Sequence, residues 1–307
     1  MNQIQHTRES IEEEIIKPFH YIRQVKSNPV IAYYLPEAFN HWLKIPKHIL
    51  EEIQEIADQY SNITFLFDDI QDESKIRRGI PTANIAFGTN LAINACFQAY
   101  TQLILRVGKL HKDAPEIFLT QSNCCLLGQG ADIFVRENII ALSEDDYKWM
   151  ATQKSSETLY CPIKLMQLFS EDKRDYWKLM QIFGVYYEIR DDYCNLVNMK
   201  EVDGKCNADK YKEPTDLFCE DFTDGKFSFP VNHALRTSHE ASPIIYALKQ
   251  RTTSYEHKKY CLNLLKKLGS LDYTLKVIRD MDKEMREEVK RLGGNLKFIA
   301  VLDDLYI

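Results

Sequence analysis

Glycine and proline are scarce in this chain, at 11 and 10 of 307 residues. That is little punctuation for a protein of many short strands, and it favours long helices. None of the eight cysteines, Cys96, Cys124, Cys125, Cys161, Cys194, Cys206, Cys219 and Cys261, forms a CxxC pair. Free thiols in a reducing compartment are expected. No apolar run approaches the roughly 18 residues that cross a bilayer. The stretch Met1–Thr7 has neither an apolar signal core nor an Arg-rich, acid-poor presequence, so a cytoplasmic protein with no membrane span is expected. There is no basic excess: the net charge is −6, which argues against broad affinity for nucleic acid or anionic lipid. Any anion must be met by local cations or by metal.

What is present is length enough for a sizeable core, with 45% apolar and 27% charged residues. Ser10-Ile11-Glu12-Glu13 reads as a capping box opening a helix striped by Ile11, Ile15, Phe19 and Ile22, kinked or restarted at Pro18. After a break at Asn28-Pro29, Pro36 starts another helix, and a long one runs from about Lys47 into an acid cluster. Pro81 opens a helix to about Gly108, and the next passes Gly128-Gln129-Gly130-Ala131-Asp132. Ser143 marks an N-terminus leading to Lys154, and a helix from about Glu171 carries a second acid cluster. Val197 to Asp216 reads as an exposed loop over the site. Helices follow over Pro230–Thr237, Pro243–Arg251, Ser254–Leu268 and Ser270–Leu292. No repeat or linker divides the chain, so one all-α domain over residues 1–307 is expected.

The chemistry is concentrated in Phe65-Leu66-Phe67-Asp68-Asp69-Ile70-Gln71-Asp72, with Arg77-Arg78-Gly79 after it. On a helix, Asp68 and Asp72 lie one turn apart on one face. Such a pair suits a hard divalent ion, above all Mg²⁺, which keeps waters and shares a phosphate; the arginines add phosphate donors. Alone, the cluster reads equally well as a solvated charge run. A second cluster, Glu188-Ile189-Arg190-Asp191-Asp192-Tyr193-Cys194-Asn195, places an acid pair at the end of another apolar stretch, with Asn195 at i+4 from Asp191. Two such helices facing one another make a carboxylate-lined mouth for metal-bound diphosphate.

The pattern resembles the trans-isoprenyl diphosphate synthases, most closely the animal geranylgeranyl diphosphate synthases, over nearly the whole chain. Its carriers are Ala38-Phe39-Asn40-His41-Trp42-Leu43-Lys44, the two acid clusters, Gly128-Gln129-Gly130 with Asp132, Gln153-Lys154, and Cys219-Glu220-Asp221-Phe222-Thr223-Asp224-Gly225-Lys226-Phe227-Ser228-Phe229-Pro230. The resemblance implies the class I isoprenoid synthase fold, a helical bundle around a deep apolar cavity, usually as a homodimer. It implies a trinuclear Mg²⁺ site on an allylic prenyl diphosphate. Asp68, Asp72 and Asp191 would be the main ligands, supported by Asp69, Asp192 and Asn195, with Arg77, Lys154 and Lys226 holding diphosphate oxygens. Ile63 and Thr64, about one turn above Asp68, and Tyr187 would border the substrate.

The sequence also departs from that pattern. The family holds a second anion, isopentenyl diphosphate, with a lysine, an arginine and a histidine whose positions here are Pro29, Ala32 and Ser61. Charge-assisted contacts to a buried anion are each worth roughly 1.5–3 kcal/mol, so the second-anion site looks dismantled. Lys26 or Arg23 could compensate through a register slip, and Arg78, the family's second-anion arginine, is retained. Further departures are Lys154-Ser155-Ser156-Glu157 for Lys-Thr-Gly-Gly, Glu188 for a glutamine, and Leu126 and Leu127 for His-Arg. Ile63 is bulkier than usual, favouring a short substrate. Three functions fit: a terpene synthase ionising geranyl diphosphate to an acyclic olefin such as ocimene or myrcene; a geranylgeranyl diphosphate synthase with an unusual second site; or a non-catalytic subunit of a heteromeric synthase.

Overall fold

A computed structural model describes residues 7–25, 29–197 and 218–307, together with the backbone of 200–202 and 205–207. The expected all-α architecture is observed. Helix α1 (Arg8–Ile22) is followed by a π-helical turn (Val30–Tyr34), α2 (Leu35–Leu43) and the long α3 (Lys47–Gln71). A two-residue hairpin, β1 (Ile76–Arg77) with β2 (Ile80–Pro81), leads to α4 (Ala83–Phe87), α5 (Thr89–Leu110) and α6 (Ala114–Asn138). Helix α7 (Glu144–Ala151) continues through a second π-helical turn (Thr152–Ser156) into α8 (Glu157–Gln167), and α9 (Trp177–Val197) follows. The C-terminal part comprises α10 (Glu220–Asp224), α11 (Phe229–Thr237), α12 (Ser242–Lys249), α13 (Tyr255–Lys267), α14 (Ser270–Arg291) and α15 (Leu296–Leu305).

Most boundaries follow from caps. Pro36 lies in the first turn of α2, Ser143 and Ser254 accept bonds from the third residue beyond, and Gly269 separates α13 from α14. Four expectations need correction. The first helix is capped by Thr7, whose hydroxyl accepts from Ser10 N, not by Ser10, and Ile11 is exposed. That helix runs through Pro18, which is buried. The helix expected from Pro81 begins at Ala83, because Pro81 pairs in the hairpin, and it is interrupted at Gly88, where φ is 85°. The second acid helix begins at Trp177, not Glu171: Asp172 accepts from Arg174 N and from the Arg174 side chain and holds the preceding residues in a turn. The Val197–Asp216 loop lies almost wholly outside the described residues; its two short backbone stretches pair antiparallel.

The Ala38–Lys44 stretch proves to be packing. Phe39 contacts Trp42, Tyr176 and Phe298 edge-on, with centroids 5.4, 5.2 and 5.7 Å away. Trp42 Nε1 donates to Gly294 O at 3.0 Å, and the Asn295 side chain donates to Ala38 O at 2.8 Å. The last helix is thereby tied to α2. Elsewhere two glycines decide how the bundle closes. A Cβ on Gly128 of α6 would overlap the Lys154 backbone, and one on Gly184 of α9 would overlap Ser156. Only glycine lets α6 and α9 each approach so closely the π-helical turn that carries Lys154.

Candidate active site

The first acid cluster ends α3. Asp68 and Asp69 are both held by Arg77, at 2.9 Å and 2.6 Å, from the hairpin that follows the helix. The Arg77 guanidinium also lies 4.9 Å from the Phe65 ring centroid. Gln129 of α6 donates to the other Asp68 oxygen at 3.1 Å, and Arg136, two turns further along α6, pairs with Asp72 at 2.6 Å. Burial alone would raise the Asp68 carboxyl, but Lys154, Arg77 and Lys226 outweigh it and hold the group below its ordinary range. Asp69, almost fully enclosed, is pushed up to about 6 by burial against the pull of Arg77. Burial and the Asp68 charge raise Asp72 despite Arg136.

The second cluster is built around a buried lysine. Lys226 lies in the stretch between α10 and α11 and meets Asp192 of α9 at 2.8 Å. Asp192 is fully enclosed and also accepts from the Tyr147 hydroxyl of α7 at 2.5 Å and from Phe229 N at 2.6 Å. Burial works against the Lys226 charge, but Asp192, Asp221 and Glu188 together raise its pKa well above normal. Lys154 is arranged similarly: it bonds Asp132 at 3.0 Å, and Asp132, Glu188 and Asp68 keep it charged against burial. Glu188, one turn before Asp192, accepts a hydrogen bond from the Ser155 hydroxyl.

Two of the predicted metal-supporting residues also bond within the protein. Asp192 accepts from Tyr147 and Phe229 through Oδ2 and pairs with Lys226 through Oδ1, anchoring Lys226 and the start of α11. The Asn195 side-chain oxygen accepts from Asp221 N at 3.2 Å. Asp191 is on the exposed side of α9 and Asp68 and Asp72 are partly exposed at the end of α3, while one buried Asp69 oxygen has no hydrogen-bond partner. Among the described residues no three acidic, His or Cys side chains close around one point. That donor set suits Mg²⁺, which takes one or two carboxylates and completes its shell with water and substrate phosphate.

Of the three positions expected to have lost second-anion donors, two are buried and Pro29 is half-buried. Ala32 is wholly buried where the first π-helical turn packs on α3, Ser61 is 5% exposed, and Pro29 precedes the turn. Arg78 lies 5.2 Å from the Phe65 ring centroid and donates to Asn62 at 3.2 Å and to Val25 O at 3.4 Å. The cavity bordered by Ile22, Asn62, Phe65, Arg78 and Thr82 amounts to about 10 Å³, room for a single water at most. Arg23 is paired with Glu55 at 2.8 Å and Asp58 at 3.1 Å, so it does not substitute; Lys26 lies outside the described residues. Ile63 is buried in the main core and Thr64, partly exposed, donates to Ser61 O. Tyr187 is half-buried one turn before Asp191.

Arg136 and Tyr147 were not legible as site residues. Arg136 stands i+4 from Asp132 within Ile133-Phe134-Val135-Arg136, an apolar context that signals a buried cation. Nothing local marks Tyr147.

An all-helical bundle presents two acid clusters, each interlocked with lysine or arginine. Comparison with known proteins defines the class. The polyprenyl synthetase family matches residues 20–265. The chain is 42% identical over 296 residues to a terpene synthase from Matsumurasca onukii, covering 96% of this chain and 94% of that one. It is 34% identical over 287 residues to a geranylgeranyl pyrophosphate synthase from Mucor circinelloides f. lusitanicus, covering 93% and 91%. A geranylgeranyl pyrophosphate synthase from Dictyostelium discoideum is 31% identical over 293 residues, covering 95% and 93%. The chain belongs to the polyprenyl synthetase family and is an enzyme acting on prenyl diphosphates.

Removing one partner of a buried ion pair leaves the other charge uncompensated and costs about 3–5 kcal/mol. Asp192→Asn should therefore lower unfolding stability by about 3 kcal/mol, read from urea denaturation. A change below about 1 kcal/mol would show that Asp192 does not anchor Lys226.

Proposed function

We propose that the enzyme is a terpene synthase that ionises one allylic prenyl diphosphate and releases diphosphate and a terpene olefin. One observation supports this: Ala32 and Ser61, two of the positions where the family resemblance puts second-anion donors, are buried, and Arg78 donates to Asn62. Those positions offer no cation to a second diphosphate, whereas Lys154, Lys226 and Arg77 are present at the first site. Retained Arg78 is the feature that favours a geranylgeranyl diphosphate synthase, and its bonds to Asn62 and Val25 answer it.

Asp68, Asp72 and Asp191 would hold Mg²⁺, three ions by family resemblance, and the metal supplies positive charge for the departing diphosphate. Lys154, Lys226 and Arg77 do the same from the protein side. Each is already fixed by a carboxylate, so no reorganisation is needed when the C–O bond breaks. The allylic cation left behind must be shielded from water, and Ile63, Thr64 and Tyr187, about a turn from the acids, would wall it. With no isopentenyl diphosphate to attack, the cation loses a proton. The bulk of Ile63 favours geranyl diphosphate and a C10 olefin such as ocimene or myrcene. The catalytic domain is the whole of residues 1–307. A homodimer is proposed through α5 and α6, where Phe97, Leu105, Leu119, Leu126, Leu127 and Phe134 are all exposed.

Purified protein with Mg²⁺ and geranyl diphosphate should yield a volatile hydrocarbon, unchanged in amount by added isopentenyl diphosphate. Longer prenyl diphosphates formed only with isopentenyl diphosphate would restore the chain-elongating alternative, and silence with geranyl, farnesyl and geranylgeranyl diphosphates would point to a non-catalytic subunit. The chain mass is 36.0 kDa; sedimentation equilibrium should give twice that value, and a monomer would overturn the proposed dimer.

A further inference from the structure

Glu188 places a negative charge where it opposes the hold on an anionic substrate. It stands on α9 one turn before Asp191 and Asp192 and is half-buried. Its Oε1 accepts the Ser155 hydroxyl, and Ser155 belongs to the same π-helical turn as Lys154. Its charge acts on Lys154 and Lys226, the two lysines proposed to bind the diphosphate, and on Tyr147. Oε2 meets no protein donor among the described residues. A glutamine would fill the same space and accept the same hydrogen bond from Ser155 without weakening either lysine. The carboxylate therefore brings one property that an amide of the same shape lacks: it can accept a proton.

Resting on the terpene synthase reading above, we propose that Glu188 is the base that ends the reaction. After the C–O bond breaks, the diphosphate leaves with the electron pair and the substrate is an allylic cation. A C–H bond adjacent to the cation then breaks. Its electron pair forms the new C=C bond, and the proton goes to Glu188 Oε2 while Ser155 fixes Oε1. The carboxylic acid so formed returns the proton to the departing diphosphate or to solvent as product leaves. The position of Glu188 relative to the cation then sets which hydrogen is lost, and so which olefin isomer forms.

The test compares wild type, Glu188→Gln, Glu188→Asp and Ser155→Ala with geranyl diphosphate and Mg²⁺, measuring diphosphate release separately from hydrocarbon and alcohol. Glu188→Gln should release diphosphate within about threefold of wild type but form hydrocarbon about tenfold less or lower, with the alcohol from water capture rising. Glu188→Asp should recover part of the hydrocarbon, and Ser155→Ala should shift the isomer ratio while diphosphate release persists. An unchanged hydrocarbon fraction in Glu188→Gln would overturn the proposal and leave diphosphate as the base. Equal loss of diphosphate release and hydrocarbon, with the product ratio unchanged, would also overturn it, since that is the mark of a structural role. A wild-type enzyme that makes only longer prenyl diphosphates overturns the terpene synthase reading itself, and the base with it.

Discussion

Lys226 and Asp192 meet at the centre of a set of buried charges on which the mouth of the bundle depends. Asp192 ties the lysine, the hydroxyl of Tyr147 and the amide that starts α11 to one point on α9. On the opposite wall, Asp68, Asp69 and Asp72 are gripped by Arg77 and Arg136, and Asp132 holds Lys154. The buried charges among them, Asp69, Asp132, Arg136 and Asp192, sit at a cost that their partners offset. The elements that carry them, α3, α6, α7, α9 and the π-helical turn, cannot drift apart without stranding one. Close packing at Gly128 and Gly184 adds a steric limit in the same place. The result is a rigid frame of cations and carboxylates set before any substrate arrives, which is the condition for stabilising a leaving diphosphate.

Much of this was legible in the residues. The spacing of Asp68 and Asp72, and of Glu188 with Asp191 and Asp192, is a helical spacing, and both acid sets do end long helices. Pro36, Ser143, Ser254 and Gly269 mark real boundaries because their conformational preferences act locally. What stayed hidden depends on distance in space. Nothing near Asp192 announces that Tyr147 and Phe229 will occupy it. Asn195 has the i+4 spacing of a ligand but is used to hold Asp221. The capping box at Ser10 is a good local signal that lost to Thr7, one turn earlier.

The contrast between the two anion sites is the functional core of the account. Sequence showed three missing donors at Pro29, Ala32 and Ser61, an observation compatible with a weakened pocket. The fold adds that two of these positions are buried, with the first π-helical turn packing Ala32 against α3, and that Arg78 donates to Asn62. On the proposed terpene synthase reading, such an enzyme would keep the cations for breaking an allylic C–O bond and lack donors for a second diphosphate. Its cation would have no carbon nucleophile to meet, and on the proposal above the walls and Glu188 would decide the chemistry that follows.

The most direct test is a calorimetric titration of isopentenyl diphosphate into protein already saturated with Mg²⁺ and a non-ionising thiolo analogue of geranyl diphosphate. The account predicts one equivalent of the analogue per chain and no saturable binding of isopentenyl diphosphate up to about 1 mM, a limit of about −4.1 kcal/mol. A second equivalent binding in the micromolar range would contradict it, because it would mean that the space around Arg78 opens to accept the anion.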